Sequence, residues 1–89
     1  MRRDDILRRL QEHPFRPFHV RLSNGTIHLI QHPELAMVGG SSMVIGIPRS
    51  GYSGPGDIDD YMVVSLAHVV QIDPVSALPT PRAGGTDAE

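Results

Sequence analysis

The chain has no cysteine, no tryptophan and no lysine, and only two phenylalanines and two tyrosines. Each absence narrows the chemistry. Without cysteine there is no disulfide, no thiolate metal site and no thiol nucleophile, and the redox compartment stays open. No apolar run approaches the roughly 18 residues that a membrane-spanning helix needs. Met1-Arg2-Arg3 runs into Asp4-Asp5 with no apolar stretch behind it, which is not a signal-peptide pattern. A cytoplasmic location and no membrane partner are therefore expected. The formal net charge of −2 gives no overall attraction to nucleic acid.

What is present fits one small domain. A chain of 89 residues can build only a thin core, so a partner, including a second copy, would add useful stability. Residues 1–75 read as that domain. Residues 76–89 are mostly Pro, Gly, Ala, Thr and acid, and bury too little to offset ordering entropy. They are expected to form a disordered tail.

Residues 3–12 read as a short amphipathic helix. Asp4 or Asp5 is placed to cap it, Ile6, Leu7 and Leu10 share a face, and Pro14 stops it. Phe15-Arg16-Pro17-Phe18 is an extended connector whose phenylalanines plug apolar gaps. Residues 18–22 and 26–29 alternate apolar and polar, the period of half-buried strands. Asn24-Gly25 between them is a strong hairpin signal. A two-residue turn sets Leu22 opposite Ile27, Val20 opposite Leu29 and Arg21 opposite His28, with Ile27 and Leu29 facing inward.

His32-Pro33-Glu34 breaks the second strand, and residues 35–38 form either a third strand or a turn of helix. Residues 43–47 are continuous and β-branched, as in a buried strand. Residues 48–56 form a Gly/Pro loop. Asp57-Ile58-Asp59-Asp60 leads into a strand through Leu66. Ala67-His68 makes a tight corner, a candidate 3₁₀ turn, and residues 69–72 form the last strand.

About five short strands sharing one thin core suggest a mainly β fold. The first choice is a small SH3/Sm-like antiparallel barrel capped by the N-terminal helix. The alternative is an open antiparallel sheet with the helix on one face, α+β. Pro14-Phe15-Arg16-Pro17-Phe18, the strand ending Ser23-Asn24-Gly25, His32-Pro33-Glu34 and the closing Leu66-Ala67-His68-Val69-Val70-Gln71-Ile72 resemble a group of small uncharacterised bacterial proteins. That resemblance covers roughly residues 4–73 and implies no activity. The early Asn-Gly hairpin and late strand–corner–strand are similar in topology to Sm-like RNA-binding proteins. The glycine usual in their second strand is replaced by Ile27-His28-Leu29, and their Arg-Gly nucleotide-contact element is missing. The fold alone is implied, and no RNA site maps onto this chain.

Five histidines invite a metal hypothesis. In the two-residue-turn register His19 and His28 lie diagonally, with Cβ atoms roughly 7–8 Å apart. A site needs a third ligand, such as His32 or an aspartate from the loop, and His32 stands about 13 Å along the strand from His28, a spacing that serves poorly. Solvated strand-face histidines are the simpler reading. Asp57-x-Asp59-Asp60 resembles part of a calcium loop but lacks the bidentate glutamate. Gly51-x-x-Gly54-x-Gly56 opens a strand, whereas phosphate loops open a helix. No serine sits in a nucleophile frame. No catalysis, cofactor or metal is expected.

Two functions remain. The first is a non-enzymatic module that binds protein, or itself, through the strand edges at residues 62–66 and 69–72. The second is binding of single-stranded RNA through a patch of Arg8, Arg9, Arg16, His19, Arg21 and His28.

Overall fold

The computed structural model describes residues 1–75. The tail expected at 76–89 lies outside the described residues. Helix α1 (Arg3–Leu10) is followed by strands β1 (Phe18–Leu22) and β2 (Ile27–Ile30). A 3₁₀ turn (Pro33–Leu35) leads to β3 (Ala36–Val38) and β4 (Ser42–Pro48). A second such turn (Pro55–Asp57) precedes β5 (Ile58–Ser65), and a third (Leu66–His68) joins it to β6 (Val69–Pro74).

Arg2 is the N-cap residue of the helix, and no side chain among the described residues caps it. Asp4 and Asp5 sit instead inside the first turn, with Arg8 and Arg9 in the last, so both ends complement the helix dipole. Ile6 enters the core with no exposed surface. The Met1 ammonium donates to the Leu66 carbonyl at 3.0 Å and Arg3 Nε to the Gly39 carbonyl at 3.1 Å. These bonds hold α1 over one end of the core and against β3. The connector behaves as its composition requires. Phe18 is buried, and the Phe15 ring packs on it at a tilt of 59° with centroids 6.1 Å apart.

The hairpin forms where expected but in a different register. Gly25 N–H donates to the Leu22 carbonyl, closing a four-residue turn, and Leu22 N–H donates to the Thr26 carbonyl, both at 2.9 Å. The loop is therefore three residues long, with Gly25 at φ 90° in the left-handed position that follows such a turn. Asn24 Oδ1 locks it by accepting from Thr26 N–H at 3.0 Å and from the Thr26 hydroxyl at 2.8 Å. The pairs become Phe18 with Ile30, His19 with Leu29, Val20 with His28 and Arg21 with Ile27. A slip of one residue moves every side chain to the other face. Ile27 and Leu29, expected inside, are therefore exposed, and Ile30 is buried.

Among the described residues six strands make two antiparallel sheets, β2-β1-β6 and β3-β4-β5. The closed barrel expected from the sequence is not formed among the described residues, and the open alternative is nearer, with two sheets instead of one. The reason is local. Pro33 has no N–H to give a ladder and opens a 3₁₀ turn, so β2 and β3 fall in different sheets. The Leu66–His68 turn, its entry bound by Ser65 Oγ to Ala67 N–H, separates β5 from β6 in the same way. The core lies between the sheets and under the helix. Phe18, Val20 and Ile30 come from the first sheet, Met43 and Ile45 from the second, and Leu66 and Val69 from the corner.

Candidate interaction surface

The outer face of the second sheet is apolar. Met37, Val44 and Val63 lie side by side across β3, β4 and β5, with Tyr61 beside Gly46 in the next row. Met37, Tyr61 and Val63 are 69%, 65% and 62% exposed, which makes this a patch and not scattered single residues. A hollow of about 170 Å³ sits in it, lined by Leu35, Val44, Gly46, Ile58 and Tyr61. Gly46 forms its floor. A Cβ there would stand 3.3 Å from Ile58 Cγ2 and 3.4 Å from Leu35 Cδ2, so a side chain would fill the space between them.

The patch ends at the free edge of β5. Among the described residues this eight-residue strand is the longest, and β4 is its sole ladder partner. The other edges are less available. β3 has three residues and lies under α1, β2 has four, and β6 ends in Pro74. Charge is confined to one end of β5. Asp59 pairs with Arg49 at 3.5 Å, and Asp60 accepts from Tyr61 N–H at 2.8 Å. Residues 61–64, Tyr-Met-Val-Val, carry no charge or proline, and among the described residues Asp60 covers the edge only at the Tyr61 amide.

Loop 49–57 is tied beside this face. The Tyr52 hydroxyl donates to Glu34 Oε2 at 2.6 Å, and its ring leans on His32 with centroids 4.9 Å apart. Asp57 Oδ2 accepts from the Ser53 N–H and hydroxyl at 2.9 and 2.8 Å. The Tyr52 hydrogen bond, then the backbone N–H of Glu34 itself, lowers the Glu34 pKa. The Ser53 bonds lower that of Asp57. Partial burial of the Tyr52 ring, followed by its bond to Glu34, pushes the tyrosine up to about 12. The clamp's pH window follows from these directions. The depressed Glu34 contributes above its ordinary value of 4.5, and that contribution is lost as pH falls through its folded value. The raised Tyr52 contributes below its ordinary value of 10.0, and that is lost as pH rises through about 12. An absorbance titration of phenolate should show Tyr52 ionising near 12. In Glu34→Gln the midpoint should fall toward 10.0, and an unmoved midpoint would show that the clamp does not persist in solution.

The arginine–histidine set is dispersed. Arg8 and Arg9 lie on α1 beside Asp5 and Glu12, with Arg9 and Glu12 3.7 Å apart. Arg16 is exposed on the connector. His19 and Arg21 share the outer face of the first sheet with Ile27 and Leu29 on one side and Asp73 and Gln71 on the other. His19 Nδ1, Arg21 Nε and Asp73 Oδ2 are buried without a hydrogen-bond partner among the described residues. His28 is on the opposite face, level with Val20, its Nε2 3.2 Å from the Thr26 hydroxyl. The expected juxtaposition of Arg21 and His28, and the diagonal of His19 and His28, are thus corrected by the hairpin register. No group of three histidine, aspartate or glutamate side chains converges as a metal site among the described residues. Asp57, Asp59 and Asp60 each have a different partner. Ser23 Oγ lies 3.1 Å from His68 Nδ1, an exposed pair that fastens the hairpin tip to the corner.

The gathering of Met37, Tyr61 and Val63 into one exposed face was not foreseen from sequence. The run at 61–64 is apolar on both faces, so no alternation tells which side chains point outward. Comparison with family models, curated proteins and solved structures returns no match.

Proposed function

We propose that the chain is a non-enzymatic interaction module, an opened small barrel of the SH3/Sm kind, that binds protein through a strand edge. The resemblance rests on the early hairpin, the N-terminal helix and the 3₁₀ corner between the last two strands. One observation carries the function: the long free edge of β5 borders an apolar outer face. An added strand would satisfy the free backbone groups, and the flanking hollow would sort its side chains. A wedge of space between the hairpin tip at Leu22 and Ser23 and the end of β5 at Val63 and Ser65 leaves room alongside.

Light scattering over a concentration series tests the reading. The mass of the native chain is expected to rise with concentration. Val63→Lys places a charge in the middle of the edge at an exposed position, where the fold should lose less than about 0.5 kcal/mol. That variant is expected to stay monomeric. A native chain that remains a strict monomer at high micromolar concentration would count against self-association. The alternative, single-stranded RNA bound by Arg8, Arg9, Arg16, His19, Arg21 and His28, has weaker support because Asp5, Glu12 and Asp73 lie among those residues. Saturable, steeply salt-dependent binding of mixed oligonucleotides would favour it.

A further inference from the structure

We infer that the strand added to β5 is the β5 of a second copy of this chain, antiparallel to the first, with Met62 on the twofold axis. This rests on the edge-binding reading above and fixes its partner and register.

A twofold contact requires a surface complementary to itself. An antiparallel strand edge meets that requirement in its backbone, and the side chains then select among registers. Centring the pair on Asp59 or Asp60 sets like charges directly opposite each other, which repel. Centring on Tyr61 brings Asp59 against the partner's Val63 and Asp60 against the partner's Met62, acid on apolar in the middle of the contact. Centring on Val63 shortens the ladder and places Tyr61 against the partner's Ser65. Met62 at the centre gives the longest ladder, residues 59–65, that keeps like charges apart and acid-on-apolar contact out of its middle. Tyr61 then faces the partner's Val63 on the outer face, and by symmetry Val63 faces the partner's Tyr61. An aromatic ring against a β-branched side chain is a favourable cross-strand pair. Asp59 and Asp60 fall near the ladder's ends, opposite the partner's Ser65 and Val64, where water reaches them, and Asp60 gives up its bond to the Tyr61 N–H when the partner strand takes that amide.

The contact is small. A seven-residue ladder with its exposed side chains covers on the order of 400 Å² per copy, about half of what a standard interface buries per partner. The dimer is therefore weak and concentration-dependent. In it the two three-stranded sheets join into one of six strands.

The absence of native cysteine makes the register directly readable. Tyr61→Cys and Val63→Cys are made separately in the full chain, both at exposed positions, and oxidised alone and mixed. Residues directly opposite on paired strands meet the distance a disulfide needs, whereas 61 and the partner's 61 are offset along the strand. The mixture is expected to yield the 61–63 disulfide in excess of either homodimer, and Val63→Lys to weaken dimerisation by at least about tenfold. A dominant 63–63 or 61–61 product overturns the Met62-centred register. Dimers by light scattering that give no disulfide from either cysteine place the contact elsewhere. They overturn the inference while the module's self-association stands. A strict monomer overturns the inference. If its outward β5 amides are also protected from hydrogen exchange, the edge is already occupied within the chain and the edge-binding reading falls as well.

Discussion

Phe18→Ala is expected to remove much of the domain's stability and to move its urea midpoint far below that of the native chain. Phe18 is 1% exposed and joins the connector, the first sheet and the helix end of the core, with Phe15 packed at a tilt against its ring. Truncating a buried phenylalanine costs about 3–5 kcal/mol, because both its transfer energy and the contacts around the cavity are lost. A domain of this size has a total stability of roughly 4–11 kcal/mol, at about 0.05–0.15 kcal/mol per residue. The loss therefore consumes much of the reserve. Urea denaturation followed by far-ultraviolet circular dichroism would check it. A midpoint close to that of the native chain would mean that the connector does not anchor the fold.

The second large effect is a contrast between neighbours. Ile30→Ala should cost about 2–5 kcal/mol as a core truncation. Leu29→Ala, one residue earlier, should cost no more than about 0.5 kcal/mol. Ile30 has no exposed surface and pairs with Phe18, while Leu29 is 44% exposed opposite His19. Denaturant midpoints of the two variants decide the hairpin register without a further structure. Equal losses, or a larger loss at Leu29, would restore the two-residue turn.

That contrast marks the limit of what the sequence discloses. The alternation of Phe18, Val20 and Leu22 was legible and is obeyed, buried at each of the three. The 3₁₀ corner at Leu66–His68, the Gly/Pro loop and the helix with its buried Ile6 were legible for similar reasons, being punctuated by local chemistry. The second hairpin strand was not. Asn24-Gly25 serves a two-residue or a three-residue loop equally well, and Ile27-His28-Leu29-Ile30 offers apolar side chains to either face. The choice between registers is made by the Asn24–Thr26 bonds and by Ile30 fitting against Phe18, neither of which a hydrophobic pattern reveals. The tie between Tyr52 and Glu34 is equally silent in the text, since it joins a loop to a turn 18 positions away. The arginine–histidine patch failed to assemble for the same reason as the hairpin: a slip of one residue sends His28 to the other side of β2 from the neighbours of His19 and Arg21.

The division into two sheets also orders the assembly of the chain. Strands β3, β4 and β5 follow one another directly and pair with their sequence neighbours. The first sheet instead needs β6 to return across the whole second sheet, bringing Phe18 opposite Pro74. Closing so long a loop costs more entropy than forming adjacent hairpins, and contacts distant in sequence form slowly. The central meander is thus expected to form early and the docking of β6 on β1 to come last. Until that step, β1 carries a vacant edge of its own, so a newly made chain is most prone to mispairing just before its final strand arrives.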